Sequence, residues 1–179
     1  MARSAAPHES VCERKKVTKE ELIKLLRLEP HPTEGGYFRR TYESSLHLDC
    51  DYGRRLLLTS IYYLLTKESP GGFLHRNKSD ILHYHHLGAP VRYTIVSPDG
   101  ILSERILGSE IRNGETLQLL VPGGWWKASQ ICGGKDDYAL ISEAVAPGFD
   151  YADNEIATEE LMQQQFPDLA YRLNIFIKR

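Results

Sequence analysis

Residues 81–107, ILHYHHLGAPVRYTIVSPDGILSERIL, contain three short β-rich segments separated by two turns. The segments are Ile81 to His86, Val91 to Val96 and Leu102 to Leu107, and β-branched and aromatic residues recur in them. In the second turn, Ser97-Pro-Asp-Gly100, proline presets one backbone dihedral and glycine accepts the left-handed one. Strands this short and this closely spaced predict an all-β structure.

The same pattern continues on both sides of this stretch. We predict further strands at Leu56 to Leu65, Leu117 to Val121, Trp125 to Ile131 and Tyr138 to Val145. No helical periodicity separates them, so the spacing is typical of a β-barrel or a β-sandwich binding domain, and by itself it fits both equally well.

Helices are predicted only near the two ends of the chain. Thr18-Lys-Glu-Glu21 has the spacing of a capping box, which predicts a short helix to about Arg27. A second helix is expected over about Thr158 to Gln165, before Pro167, and residues 173–178 are predicted to be a final strand or an extended tail. Residues 1–16 are predicted to be a disordered tail, and residues 17–179 a single domain.

Charge and composition exclude several classes of partner. The chain has 22 Lys and Arg against 24 Asp and Glu, without the basic face that a general nucleic-acid binder needs. Its longest apolar run, 56–65, is about half the ~20 residues that cross a bilayer, and residues 1–16 lack the apolar core of a secretory signal. Its three cysteines are widely spaced and form no CxxC pair. We therefore expect a cytoplasmic protein with free thiols that binds neither nucleic acid nor membranes.

Four of the seven histidines lie between positions 75 and 86. Because side chains alternate along a strand, His83 and His85 are predicted to share one face. With His75 they could converge inside a barrel, where imidazoles suit acid/base chemistry or a divalent metal. The alternative is that they are ordinary strand residues hydrogen-bonded to neighbouring strands.

Parts of this pattern resemble the two motifs of the cupin superfamily, whose fold is a small β jelly roll. The resemblance rests on His75, on Gly88 and on Pro122-Gly-Gly124. It assigns His75 to the first metal-ligand position, but it places Asn77, Ile81 and Lys127 at the other three. It therefore implies no cofactor, with a divalent metal held by His75, His83 and His85 as the alternative.

Five other segments are similar to a subfamily of small cupins that is known as a domain of unknown function and is related in fold to nucleotide-sugar epimerases. They are residues 28–38 (LEPHPTEGGYF), 59–65 (TSIYYLL), 75–80 (HRNKSD), 121–126 (VPGGWW) and 145–155 (VAPGFDYADNE). The resemblance implies a cupin jelly roll with an N-terminal and a C-terminal helix, assembled as a homodimer. It carries over no established reaction.

Epimerase-type cupins use a histidine base, an acidic partner and a tyrosine acid on the opposite wall. The resemblance therefore implies His75 as the base, with Asp80 as the nearest carboxylate and Tyr63 or Tyr93 as the acid. A base must also lie within hydrogen-bond reach of its proton.

Other residues are expected to bind ligand. Alternation places Trp125 and Lys127 on one face of their strand and Trp126 on the other, and it turns at most one of Arg39 and Arg40 inward. An inward arginine favours an anionic ligand. We expect Arg40, His83, His85, Trp125 and Lys127 to contact a small polar or anionic molecule such as a sugar, nucleotide or carboxylate. The alternatives are a metal-independent epimerase or isomerase and a metal-dependent enzyme, so catalysis stays open.

Overall fold

A computed structural model describes residues 16–69 and 71–178, which form two main β-sheets and a separate hairpin. Strands are numbered here in chain order. The six-stranded sheet contains, in spatial order, β1 (Glu29–Pro30), β2 (Tyr37–Glu43), β5 (Thr59–Thr66), β12 (Tyr138–Ala146), β7 (Asp80–Gly88) and β10 (Gln118–Val121). The five-stranded sheet contains β13 (Asn154–Ile156), β6 (Gly71–Asn77), β11 (Trp126–Ile131), β8 (Val91–Val96) and β9 (Leu102–Leu107). The hairpin pairs β3 (His47–Cys50) with β4 (Gly53–Leu56).

The two sheets face each other and enclose the main core. Apolar side chains from both sheets fill it, including Tyr63, Leu65, Val91, Ile95, Val121 and Ile141. The sheets stay separate, so the barrel is a jelly roll of two facing sheets, as expected for the predicted all-β fold. No helix within residues 16–69 and 71–178 is long and apolar enough to cross a membrane.

The helices cover two outer surfaces. Helix α1 (Lys19–Leu26) begins at the predicted capping box, in which Thr18 Oγ1 accepts from the Glu21 amide and the Glu21 carboxylate accepts from the Thr18 amide. At the other end lie α2 (Glu159–Gln165), α3 (Pro167–Leu173) and a 3₁₀ turn at Asn174–Phe176. Three-residue 3₁₀ turns also occur at Ile111–Asn113 and Tyr151–Asp153.

The prediction for residues 173–178 was wrong. Leu173 ends α3, the 3₁₀ turn follows it, and Leu173 and Ile177 pack with Trp126 against the outer face of the five-stranded sheet. This apolar packing favours a helical end over another strand. The predicted tail, residues 1–16, lies outside the described residues except for Lys16.

The strand predictions agree with the structure over most of the chain. β8 and β9 have the predicted bounds, and β7, β10, β11 and β12 differ by one or two residues at an end. The strand predicted at Leu56 to Leu65 begins three residues later, at Thr59, because Leu56 ends β4. Sequence patterns missed the short strands β1, β3, β4 and β13. They also missed β6, because Gly71-Gly72 and charged Arg76 interrupt its apolar signal. The omission matters because β6 carries His75.

Candidate functional site

A cluster of three polar side chains lies between the sheets. His83 of β7 and Glu143 of β12 are opposite each other in the antiparallel pair, and Lys127 reaches them from the facing sheet. Lys127 Nζ lies 2.8 Å from His83 Nε2 and 3.4 Å from Glu143 Oε1, while His83 Nε2 and Glu143 Oε1 are 3.3 Å apart. All three residues are buried, and His83 is fully inaccessible to solvent.

The contacts define the charge of each group in this cluster. Burial lowers the pKa of His83, and the nearby Lys127 charge lowers it further. The ring is therefore neutral at pH 7. Its Nδ1 lies 3.4 Å from the Leu119 carbonyl oxygen, which places the proton on Nδ1 and leaves Nε2 to accept from the Lys127 ammonium. Burial alone would raise the pKa of Glu143, but Lys127 and His83 outweigh it and hold that pKa well below its usual range.

A second polar group lies beside this cluster. His75 of β6 is opposite Lys127 in the β6–β11 pair. Its Nδ1 is 2.7 Å from the Phe73 carbonyl oxygen, and its Nε2 is 3.7 Å from Glu34 Oε2. Because Nδ1 donates to the carbonyl, the Nε2 lone pair is directed towards the Glu34 side of the cavity.

The loop between β1 and β2 brings Glu34 into the interior. His31 Nδ1 accepts from the Glu34 amide at 3.0 Å, and the His31 amide donates to the Gly36 carbonyl oxygen at 2.9 Å. Gly36 has φ +69°, and a Cβ there would lie 2.6 Å from the Leu64 carbonyl oxygen. Only glycine therefore lets the loop pass so close to β5.

Two buried tyrosines face the same interior. The Tyr63 hydroxyl donates to the Gly35 carbonyl oxygen at 3.0 Å. The Tyr93 hydroxyl has no partner among the described residues, and its ring packs edge-on against His83 with centroids 4.7 Å apart. Burial raises the pKa of both phenols well above the usual value, so both are neutral. An unpartnered buried hydroxyl is costly, which makes Tyr93 a position for a ligand oxygen or water.

A narrow pocket leads from the surface to this interior. Its wall includes Arg40 at the mouth, Glu34 and Glu143 inside, and Phe149 and Tyr151 from the loop after β12. The free space is about 30 Å³, which is enough for about one water molecule. Arg40 Nη1 donates to Glu43 Oε1 at 3.0 Å, and its buried Nε has no partner in the described part of the chain. The wall of the pocket therefore contains one guanidinium and two buried carboxylates.

Three of the sequence-predicted residues lie away from the cluster. Asp80 is exposed and its Oδ1 accepts from the Gly123 amide at 2.8 Å, so it fixes a turn, and the carboxylate beside His75 is that of Glu34. His85 Nε2 is 3.2 Å from the Ala89 carbonyl oxygen. Trp125 packs at the margin of the main core.

Other predicted residues lie where alternation places them. His83 and Lys127 point inward, and Arg40 lines the pocket. Trp126 faces outward, where its Nε1 donates to Gln165 Oε1 at 3.1 Å and the Arg76 guanidinium stacks on its ring.

Sequence reasoning missed His31, Glu34 and Glu143. For Glu143 a signal existed, since alternation along β12 places it on the same face as buried Ile141 and Val145. A carboxylate among inward-facing apolar residues needs a partner.

The side chains do not fit a metal ion. Within residues 16–69 and 71–178 no three His, Cys, Asp or Glu side chains come together as a metal-binding group, so His75, His83 and His85 do not form the alternative ligand set. The Lys127 ammonium also lies against His83 Nε2 and Glu143 Oε1, where its charge repels a cation.

The buried histidine predicts a pH-dependent stability. The pKa of His83 in the folded protein is below its ordinary value of 6.5, because burial disfavours the charged ring. The contribution of His83 to the free energy of unfolding is therefore fully present above pH 6.5. It is lost as the pH falls below 6.5, since only the unfolded chain then binds the proton readily. We expect His83 to remove about 1.4 kcal/mol of unfolding free energy per pH unit in that range. Urea unfolding between pH 8 and pH 5 measures the slope.

His83→Gln should reduce the change of unfolding free energy with pH by about 1.4 kcal/mol per pH unit, the amount that one bound proton gives. His47→Gln, at an exposed histidine, should leave the slope unchanged. Equal slopes in the wild-type protein and His83→Gln would contradict a neutral buried imidazole.

Comparisons with known proteins give consistent results. A sequence model described as "Cupin superfamily (DUF985)" matches residues 20–157. The uncharacterised protein YML079W of Saccharomyces cerevisiae is 36% identical in an alignment of 155 positions that covers 78% of this chain and 77% of that protein.

Solved structures show the same relationship. A hypothetical protein from Leishmania major superposes with a TM-score of 0.84 at 34% identity, over 91% of this chain and 100% of that one. Protein SO0799 from Shewanella oneidensis gives 0.80 at 31% identity, over 91% and 99%. Oxalate decarboxylase from Bacillus subtilis gives 0.52 at 17% identity, over 83% of this chain and 37% of that one, and shares the fold alone.

Proposed function

The chain belongs to the DUF985 family of the cupin superfamily, as its sequence resemblance predicted, and from that premise we propose that it binds a small hydroxy or oxo acid inside the barrel without a resident metal. The observation that carries this proposal is the position of Lys127 Nζ, which is hydrogen-bonded to His83 and Glu143 in the barrel interior. The barrel thereby holds a lysine amine, supplied by the chain itself, between a carboxylate and a neutral imidazole.

The groups around the pocket support this class of ligand. A guanidinium recognises a carboxylate through paired hydrogen bonds, and Arg40 lies at the pocket mouth with an unpartnered Nε among the described residues. Deeper in, Glu143 accepts from a ligand hydroxyl, while Lys127 or Tyr93 donates to an oxo oxygen. The free space holds about one water molecule, so even a ligand of few carbons enters only if the pocket wall moves apart.

Arg40 provides the direct test. We expect Arg40→Gln to weaken binding of the tightest ligand in a calorimetric panel of acetate, lactate, pyruvate and malate by about tenfold or more, since it removes a charged hydrogen bond. Arg39→Gln is the matched control, because Arg39 is the neighbouring residue and lies over the Tyr62 ring. Equal weakening by both variants, or no binding of any panel member, would overturn the proposal.

The proposal that the barrel has no resident metal is tested by a separate measurement. Elemental analysis of protein purified without chelator or affinity tag should find well below one metal ion per chain. A near-stoichiometric metal would contradict the role given to Lys127.

A second candidate function is metal-independent proton transfer, as in an epimerase or isomerase. Its support is the pair formed by His75 and Glu34. The hydrogen bond from Nδ1 to the Phe73 carbonyl oxygen fixes the His75 ring. Its Nε2 therefore faces Glu34, which also lines the pocket. An imidazole fixed in this way can remove a proton beside a carbonyl group, with neutral Tyr93 as a donor to the developing oxyanion.

Compartment and assembly are also part of the proposal. The free thiols of Cys50 and Cys132 support a reducing, cytoplasmic location. Exposed Leu117 and Leu120, at the β10 edge of the six-stranded sheet, support a homodimer. Light scattering of the purified chain measures its mass in solution.

A further inference from the structure

We propose that Lys127 is a nucleophile, and that its Nζ forms an imine with the oxo carbon of a 2-oxo acid held in the barrel. The inference rests on the proposed binding function and narrows its ligand from hydroxy or oxo acids to 2-oxo acids. It also gives Lys127 a covalent role in addition to its charge.

The surroundings of Lys127 differ from those of a structural lysine. Among the residues that the structure describes, Lys127 is the one lysine that is buried. Its Nζ contacts a neutral imidazole at 2.8 Å as well as a carboxylate. Lys19, in contrast, pairs with the two carboxylates of Glu68 and Asp137. An imidazole lone pair can take a proton from the ammonium and leave the free amine that nucleophilic attack requires.

The pocket leads a ligand towards this amine, although Lys127 is not itself among the residues that line it. Glu143 lines the pocket and its Oε1 is also 3.4 Å from Lys127 Nζ. A ligand that widens the pocket and contacts Glu143 Oε1 is therefore brought towards Nζ. With the acid group on Arg40, the adjacent oxo carbon of the ligand points inward, towards the amine.

The reaction balances with the groups present. The Lys127 ammonium passes one proton to His83 Nε2, and the amine then attacks the oxo carbon, so a C–N bond forms as the C=O π pair moves to oxygen. Glu143 carries a proton from nitrogen to that oxygen, which gives a carbinolamine. The protonated His83 then returns its proton to the hydroxyl, water leaves, and the iminium that forms is stabilised by the Glu143 carboxylate. No redox partner is consumed, and hydrolysis reverses every step.

Two features favour such an intermediate over a simple ion pair. The unpartnered Tyr93 hydroxyl, packed beside His83, offers a hydrogen bond to the carbinolamine oxygen. The iminium also carries one positive charge at the position of the ammonium, so Glu143 is paired in the final adduct as it is in the free protein.

Reductive trapping tests the inference. Wild-type protein is incubated with pyruvate and sodium cyanoborohydride, which reduces an iminium to a stable secondary amine, and intact mass and peptide mapping follow. We expect one adduct per chain on Lys127, with the mass of pyruvate minus water plus two hydrogens. Lactate, which lacks the oxo group, should give none.

Three variants serve as controls. Lys127→Arg keeps the charge without the nucleophile and should reduce the adduct about tenfold or more. His83→Gln should slow trapping by a similar factor, because it removes the proton acceptor. Lys24→Arg, at an exposed lysine, should leave trapping unchanged. Circular dichroism of each variant checks that it is folded.

Calorimetry with pyruvate, without the reductant, separates the two proposals. Pyruvate binding that depends on Arg40 but gives no adduct on Lys127 would overturn the imine and leave the binding function intact. If neither pyruvate nor another panel acid binds, both proposals fail. An adduct that persists in Lys127→Arg, or is spread over surface lysines, would also overturn the inference.

Discussion

Glu143→Gln is expected to lower the free energy of unfolding by about 3 kcal/mol, because it leaves the buried Lys127 ammonium without its carboxylate. The expected loss is at the low end for a broken buried pair, since the amide oxygen still accepts one hydrogen bond. For a chain of this size the melting temperature should fall by about 6–12 °C. Urea unfolding at pH 7 measures the change directly.

The exposed pair between Arg76 and Glu155 provides the matched control. Its nitrogen and oxygen atoms are 2.7 Å apart, closer than the Lys127–Glu143 contact, yet both side chains are substantially exposed to solvent. Glu155→Gln should therefore cost less than about 1 kcal/mol. If both variants lost the same stability, the interior pair would not be isolated from solvent as the structure indicates.

A double-mutant cycle distinguishes the charge pair from general damage to packing. Lys127→Met leaves Glu143 unpaired and also removes the donor to His83. In Lys127→Met/Glu143→Gln neither charge is buried, so the combined loss should be smaller than the sum of the two single losses by about 1–3 kcal/mol. Strict additivity would contradict a direct interaction between the two side chains.

Local sequence signals were sufficient for much of the strand framework. Ser97-Pro-Asp-Gly100 has a turn chemistry that sets the end of β8 and the start of β9 within a few residues. Alternation then predicts that His83 and Lys127 point inward, because one face of each strand must cover the core. These arguments need only neighbouring residues, and they succeed where the strand is regular.

The composition of the candidate site depends on contacts between distant segments. Asp80 is near His75 in sequence, but it lies at the start of β7, where its carboxylate binds the Gly123 amide. The carboxylate that reaches His75 comes from Glu34, in a loop whose path depends on Gly36 passing close to β5. A loop path of this kind has no periodic signal, so the sequence alone could not pair His75 with Glu34.

Lys127 shows the same limit in a different way. The cupin resemblance placed a lysine at a metal-ligand position and so argued against a standard metal site. The identity of its partners required the register of β12 against β7, which sets Glu143 opposite His83. Once that register is known, the lysine at the former metal-ligand position is explained, because it is hydrogen-bonded to both His83 and Glu143 in the interior.

His75→Asn is expected to slow proton transfer by about 10²–10⁴-fold if His75 is the base. Pyruvate in D₂O is a suitable probe, since removal of a methyl proton beside the carbonyl exchanges it for deuterium, which proton NMR follows. Binding of pyruvate should change little, because Arg40 and Lys127 remain. His47→Asn, at an exposed histidine, is the control and should exchange at the wild-type rate.

The choice between proton transfer by His75 and exchange through an imine on Lys127 follows from comparing two variants. An imine makes the same methyl protons acidic, so Lys127→Arg would slow exchange even if another group removed the proton. If only Lys127→Arg slows it, the base is not His75. If only His75→Asn slows it, His75 acts on the free carbonyl compound. If both variants slow the exchange, Lys127 and His75 act in one reaction, in which the lysine activates the ligand and the histidine moves its proton. Wild-type protein that binds pyruvate without any exchange would exclude proton transfer as a function.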